Sequence, residues 1–346
     1  MRMVGGLLLF LAVAMVCPAR AGADAGTEPA AAEKREAPRV YTLQEALAAL
    51  RRGNPEEIRQ IKAVDISGAP LSDLSLLSML PLESLYLWYC EEITDFTPLA
   101  GITGLKKLIL IGTRIKNLSQ LAKLPLESLY LWHCEEITDF TPLADMTGLK
   151  ELNLANTRIK DLSQLAKLPL ESLDLQSCKE ITDFTPLAGL TGLKKLVLGD
   201  TRIKDLSLLA KLPLESLDLN GCKEITDFSP LAGLTGLKEL YLGDTRIKDL
   251  SPLAKLPLES LDLQSCKEIT DFTPLADMTG LKELDLSNAP IKDLSPLAKL
   301  PLESLDLSGC GEITGLAPLH GMKSLRHITL ENTRFADMKL PEIIGK

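Results

Sequence analysis

The sequence predicts an α/β solenoid, a curved right-handed coil with a parallel concave sheet and short 3-10 or helical turns on its convex side. Two regularities predict this fold. Pro81 and Cys90 each recur five more times at steps of 44 residues. Within each step, leucines follow the spacing L-x-x-L-x-L twice. A fixed period of this length indicates structural units that bury their apolar faces by stacking on one another.

The 44-residue step divides into one unit of 23 residues, which begins at Leu82, and one of 21, which begins at Leu105. Counting from Ile61 to the unit at Leu325 gives 13 repeats, and we assign residues 61–346 to this solenoid. The difference in length comes from one extra residue between the cysteine and the next isoleucine of the longer unit, together with a longer ending. The two kinds of unit therefore alternate along the stack.

Each repeat predicts a strand followed by a turn. The alternating segment from Ser84 to Trp88 predicts a short parallel strand whose leucines face the core and whose other side chains face outward. Thr97 and Pro98 match an N-cap and a first helical position, so a single helical turn is expected there. Phe96 and its copies are expected to stack as part of the core on the convex side.

The L-x-x-L-x-L pattern with Cys or Thr in the following turn resembles the leucine-rich repeat family. The T-P-L-A endings, such as Thr97 to Ala100, are similar to the bacterial internalin-like class, and the C-x-x-I-T-D half is similar to the cysteine-containing class. The resemblance covers Ile61 to about Phe335. It implies a leucine-rich repeat solenoid, a fold whose partners are too varied for the fold alone to name one.

Residues 1–21 have the features of a secretory signal. Arg2 precedes an apolar stretch, and Ala19-Arg20-Ala21 supplies a cleavage site, which predicts a secreted or periplasmic protein. The alternative is a lipoprotein signal with Cys17 as the lipidated residue, although Met15-Val16 fit that pattern poorly.

Two further segments precede the repeats. Residues 22–39, rich in Ala, Gly, Glu and Pro, predict a disordered spacer. Residues 40–60 predict a helical N-terminal cap, because Thr42 and Glu45 match a capping box and Gly53 follows the helix that they open. Such a cap would cover the open end of the stack. No later stretch is suited to span a membrane, so no transmembrane segment is expected.

Composition and motifs argue against two classes of function. The formal net charge of −9 argues against binding the phosphate backbone of a nucleic acid. The sequence contains no G-x-S-x-G, P-loop or H-E-x-x-H motif, so neither an enzyme nor a cofactor is predicted. We expect a non-catalytic scaffold.

The evenly spaced cysteines could suggest disulfides, but the geometry of the stack opposes them. Strands lie about 4.8 Å apart, so Cys90 and Cys134, two rungs apart, would be separated by roughly 9.6 Å. A disulfide needs Cα atoms within about 7 Å. The cysteines are therefore expected to form a buried thiol ladder that alternates with threonines such as Thr113. His133 beside Cys134 is not expected to form a catalytic pair, since adjacent strand residues point to opposite faces.

The repeats differ most at positions predicted to face outward from the strands. There the early units carry aromatic and aliphatic residues, which predict an exposed patch that binds a protein partner. We refer to this set as the aromatic patch: Tyr86, Trp88, Tyr89, Ile109, Ile111, Tyr130, Trp132 and His133. The alternatives are carbohydrate or cell-wall binding by ring stacking, and coverage of the patch by the spacer or by a second copy.

Aspartates occupy the first outward position in the later units. We refer to them as the acidic track, which comprises Asp174, Asp218, Asp262, Asp285 and Asp306, with Asp200 and Asp244 alongside. Like charges on neighbouring rungs repel, so this track favours a basic region of the partner, or calcium. The alternative is a plain solvated face. The predicted function is thus protein binding through the concave face, with the partner unidentified.

Overall fold

The computed structural model describes residues 39–345, so the predicted signal, Cys17 and all but the last residue of the predicted spacer lie outside the described residues. A parallel sheet of 14 strands follows the chain order. The strands are β1 Val40–Thr42, β2 Ala63–Asp65, β3 Ser84–Tyr86, β4 Lys107–Ile109, β5 Ser128–Tyr130, β6 Glu151–Asn153, β7 Ser172–Asp174, β8 Lys195–Val197, β9 Ser216–Asp218, β10 Glu239–Tyr241, β11 Ser260–Asp262, β12 Glu283–Asp285, β13 Ser304–Asp306 and β14 His327–Thr329. Strands β2 to β14 supply one strand for each predicted repeat, which confirms the solenoid fold.

Short 3-10 helices return the chain from one strand to the next. They span Ser75–Met79, Thr97–Gly101, Ser119–Leu121, Thr141–Asp145, Ser163–Leu165, Thr185–Gly189, Ser207–Leu209, Ser229–Gly233, Ser251–Leu253, Thr273–Asp277, Ser295–Leu297 and Ala317–Leu319. The expected capping role of Thr97 is wrong. The Oδ1 atom of Asp95 accepts hydrogen bonds from the Thr97 backbone N at 2.9 Å and from Thr97 Oγ1 at 2.7 Å. Thr97 is therefore the capped residue, and Asp95 holds the turn.

The core lies between the sheet and these turns. Leu85 and Leu87 are fully buried, and Phe96 and its phenylalanine copies are buried as predicted. All six cysteines of the described repeats are free and buried, which confirms the predicted ladder. Cys134 Sγ donates to the carbonyl oxygen of Leu110 at 2.9 Å, and the other five thiols make the equivalent bond to the preceding repeat.

The N-terminal cap contains the predicted helices and an unpredicted strand. Helix α1 spans Leu43–Arg52 and helix α2 spans Pro55–Gln60. Thr42 and Glu45 form the capping box at the start of α1, as predicted. Strand β1, just before α1, pairs in parallel with β2. The cap therefore protects the first repeat with a strand that occupies the edge of β2, as well as with helices.

The C-terminal end also has a cap. Helix α3 spans Leu340–Ile344, and Ile343 and Ile344 are buried in the core. The backbone N of Gly321 donates to the carbonyl oxygen of Ile344 at 3.1 Å, which fixes α3 to the repeat that begins at Leu302. Within residues 39–345, no helix has the length and apolar character needed to cross a membrane.

Candidate functional site

The outward side chains of the sheet form rows that run across the strands. The third residue of each strand gives the first row, in which Tyr86 pairs with Ile109, and Ile109 with Tyr130. The residue two positions further along gives the second row, which contains Trp88, Ile111 and Trp132. Since paired strands hold this register from β2 to β14, the aromatic patch and the acidic track share one face.

The exposure of the Ile109 and Ile111 side chains differs from the prediction. They were expected to be exposed, but Ile109 is 1% exposed and Ile111 is 8% exposed. Ile109 lies between Tyr86 and Tyr130 on the adjacent strands. Neighbouring strands are only about 4.8 Å apart, so large side chains on both sides can cover the residue between them. The two isoleucines thus form a buried floor, and the surface of the patch is aromatic.

Tyr130 is held by groups of the neighbouring strands. Its hydroxyl donates to Glu151 Oε2 at 2.6 Å, and Lys107 Nζ lies 5.5 Å from the ring centroid. Burial raises the pKa of the Tyr130 hydroxyl, and the hydrogen bond to Glu151 raises it further. A ring fixed on two sides loses little side-chain freedom when a partner binds.

The two tryptophans are partly exposed in the second row. The indole Nε1 of Trp88 is buried and has no hydrogen-bond partner among residues 39–345. The ring of Trp132 lies 4.9 Å from that of His133, centroid to centroid. His133 Nδ1 is also 3.6 Å from Glu135 Oε1. His133 and Cys134 do point apart, as predicted, because Cys134 is fully buried and His133 is partly exposed.

The residue after the second row has a left-handed backbone in every repeat, which the sequence reasoning missed. We call this set the left-handed row, and its φ angles lie between +53° and +70°. Its members are Gly68, Tyr89, Gly112, His133, Asn156, Ser177, Asp200, Gly221, Asp244, Ser265, Asn288, Gly309 and Asn332. The preference for Gly, Asn and Asp at this position was the available sequence evidence, since these residues tolerate a positive φ best.

The acidic track has a structural role as well as a charge. Asp218 Oδ1 accepts from the Asn220 backbone N at 2.8 Å, and the other four aspartates accept equivalently from the backbone two residues on. Burial raises the pKa of Asp218 and of Asp262 to about 6, and neighbouring carboxylates contribute to both shifts. Burial also raises the pKa of Asp174. These aspartates are therefore half-buried supports of the strand ends as well as a negative surface.

The aromatic patch and the acidic track meet at β6. Glu151 of this strand binds Tyr130, and Asn153 Nδ2 donates to Asp174 Oδ2 at 2.7 Å. Asp262, Asp285 and Asp306 lie on successive strands, as predicted. Of the two aspartates alongside, Asp244 forms an ion pair with Lys223 at 2.6 Å. Within the described residues, no group of three or more His, Cys, Asp or Glu side chains is placed to hold a metal ion.

Comparison with known proteins identifies the repeats. A family model of leucine-rich repeats, in two copies, matches residues 126–167, 147–189, 214–255 and 258–299. An internalin of Listeria monocytogenes, InlF, is 32% identical, with 80% of this chain and 82% of that chain covered and a TM-score of 0.67. No curated protein matches the chain.

Two further solved structures share the fold. A leucine-rich repeat protein of Leptospira interrogans is 22% identical, with 85% of this chain and 82% of that chain covered and a TM-score of 0.55. The functional domain of InlJ from Listeria monocytogenes, which includes a cysteine ladder, is 20% identical. The match covers 83% of this chain and 67% of that chain, with a TM-score of 0.56. Together with the sheet and the repeat pattern, the match to InlF, 32% identical with 82% of that chain covered, shows that the chain belongs to the leucine-rich repeat family, in its internalin-like class.

Proposed function

We propose that this chain is a non-catalytic scaffold that binds a protein partner through the exposed face of its sheet, with the aromatic patch as the main contact. One observation carries the proposal. At the three outward positions of the 23-residue units, the first two copies hold Tyr-Trp-Tyr and Tyr-Trp-His. The four later copies hold Asp, then Gln, Asn or Ser, then Ser or Gly. All six copies build the same strand and turn, so the fold does not require the rings.

The surroundings of the rings support binding to a protein. Trp and Tyr supply most of the binding energy in many protein interfaces, where they are enriched at the centre. The rings here rest on the buried floor of Ile109 and Ile111, and Tyr130 is fixed by Glu151. Tyr89 is 47% exposed, which makes it one of the few large apolar side chains at the surface of the described residues.

The acidic track supports a partner with a basic region. It begins two strands beyond Tyr130, on the same face, and is joined to the patch through Asn153. A partner that covers the patch and extends along the sheet would meet these carboxylates. Charge complementarity of this kind contributes orientation and association rate more than affinity.

The predicted signal at residues 1–21 supports a secreted or periplasmic location, and a partner met outside the cytoplasm. Lipid attachment at Cys17 is the alternative within that proposal. The two tryptophan rings could also stack on sugars, so carbohydrate or cell-wall binding is the competing function.

The proposal is tested by capture of extracellular and cell-surface proteins on immobilised protein. Wild type is compared with the Trp88→Gln/Trp132→Gln variant, because Gln176 and Gln264 already occupy the same row. The control is Gln176→Ala/Gln264→Ala, in the same row but outside the patch. We expect the tryptophan variant to lose proteins that wild type and the control retain. Equal capture by all three would overturn the proposal, and a glycan array bound only by wild type and the control would favour sugar binding.

A further inference from the structure

The left-handed row is held by hydrogen bonds between repeats. The backbone N of Tyr89 donates to the Ile111 carbonyl at 2.8 Å, Gly112 donates to Trp132 at 2.8 Å, and His133 donates to Ala155 at 3.1 Å. These bonds continue the sheet ladder beyond the strands. In the twelve members from Gly68 to Gly309, this bond to the next repeat therefore holds the left-handed backbone, whatever the side chain.

A large side chain is disfavoured at such a position. The Cβ atom of an L-residue with positive φ crowds its own backbone, a cost from which glycine is exempt and which Asn and Asp partly offset by local hydrogen bonds. Nine of the thirteen members of the row are Gly, Asn or Asp, and two more are serine, whose side chain is small. The two exceptions are Tyr89 and His133, and both belong to the aromatic patch.

Gly112 leaves the space that the ring of Tyr89 occupies. A Cβ atom added to Gly112 would lie 2.5 Å from Tyr89 Cδ1 and 2.6 Å from Cε1, so the ring occupies the space that any other residue would need. The left-handed backbone does not by itself require glycine, because Asn156 and Asn288 occupy the same position in other 21-residue units. The close approach of the Tyr89 ring does require it.

His133 lies two rungs from Tyr89, on the other side of Gly112. Its side chain is 40% exposed and is placed by the Trp132 ring and by Glu135. Beside these residues is a shallow depression whose lining includes Gly112, Arg114, His133 and Glu135. His133 thus lines this depression, and the ring of Tyr89 lies against Gly112 in its lining.

We propose that Tyr89 and His133 are the specificity-determining contacts of the partner site, retained at a cost in stability, and that Gly112 is the positioning residue for Tyr89. Strained backbone conformations persist where the surrounding structure imposes them, and they cluster at sites of function. This inference rests on the proposed function, because it assigns roles within the same surface.

The test uses a random peptide library displayed on phage, selected on wild type. Peptides that do not bind Trp88→Gln/Trp132→Gln are retained as probes of the patch. Their affinities are measured for Tyr89→Gly, His133→Gly and Gly112→Asn, and the urea midpoint of each variant is recorded. Gly112→Asn introduces a residue that the row already contains, and it displaces the Tyr89 ring without removing it. Ser177→Gly is the control, at the same position of the next 23-residue unit.

We expect Tyr89→Gly and His133→Gly to raise the urea midpoint while weakening peptide binding about tenfold or more, as loss of a hot-spot contact does. Gly112→Asn should weaken binding to a similar extent, and Ser177→Gly should leave it unchanged. If the probes bind all three variants as tightly as wild type, the inference is overturned and the proposed function stands. A lower urea midpoint for both Gly variants would contradict the proposed cost in stability of Tyr89 and His133 and overturn the inference. If no tryptophan-dependent peptide is recovered, the proposed function and the inference fall together.

Discussion

The hydroxyl of Thr113 and the thiol of Cys134 donate to one acceptor, the carbonyl oxygen of Leu110, at 2.8 and 2.9 Å. Their Oγ1 and Sγ atoms lie 3.6 Å apart. Thr157, Thr201 and Thr245 repeat this arrangement with the next cysteine along the chain. The arrangement links four of the 21-residue units to the 23-residue units that follow them inside the core, where a lost donor is not replaced by water.

A double-mutant cycle can measure this link. Thr113→Val and Cys134→Ala are each expected to reduce the free energy of unfolding by about 1 kcal/mol. The double variant should lose about 0.5 kcal/mol more than the sum, because the carbonyl of Leu110 then loses both side-chain donors. Urea unfolding provides the measurement. Thr113→Val combined with Cys222→Ala is the control, since these residues serve different carbonyls, and coupling there as large as in the first pair would contradict the shared-acceptor account.

The buried thiols should be unreactive in the folded protein. Burial raises the pKa of Cys178, Cys222 and Cys310 to about 11, and only the thiolate reacts readily. In a Cys17→Ser background, we expect no reaction with Ellman's reagent at pH 8 until guanidinium is added, and then all six remaining thiols should react. Rapid reaction of these thiols under native conditions would show that the ladder is open to solvent.

The acidic track should make stability depend on pH. The pKa of Asp218 and of Asp262 rises from 3.8 to about 6 on folding, chiefly through burial. Between these values the folded chain holds protons that the unfolded chain releases, so the free energy of unfolding falls as pH rises from 4 to 6 and stays lower above 6.

Replacing either aspartate by asparagine tests whether the free energy of unfolding changes with pH in this direction. Asn153 already accepts a hydrogen bond from the Ala155 backbone N at 3.0 Å, so asparagine can keep the same support of the strand end. Asp218→Asn and Asp262→Asn are each expected to raise the free energy of unfolding at pH 7 by about 1 kcal/mol after allowance for solvent screening, and by little at pH 4. Urea unfolding at both pH values gives the comparison. A variant that is less stable than wild type at pH 7 would contradict the prediction.

Much of the site could be predicted because side chains alternate along a strand. Tyr86 and Trp88 face outward for the same reason that Leu85 and Leu87 are buried, and the repeat places their copies on one face. The burial of Ile109, although it faces outward, could not be predicted from alternation. It depends on how far the rings of the neighbouring strands reach over a gap of about 4.8 Å, and that is a property of the packed sheet.

The sequence by itself determined the repeat frame, the buried cysteines and the face that carries the aromatic and acidic residues. These follow from the spacing of leucines, because only one register buries all of them. The tertiary structure decided the left-handed row, the strand β1 that covers the first repeat, and the place of the Tyr89 ring over Gly112. Each of these depends on contacts between residues about one repeat apart, and such contacts exist only after the repeats have stacked.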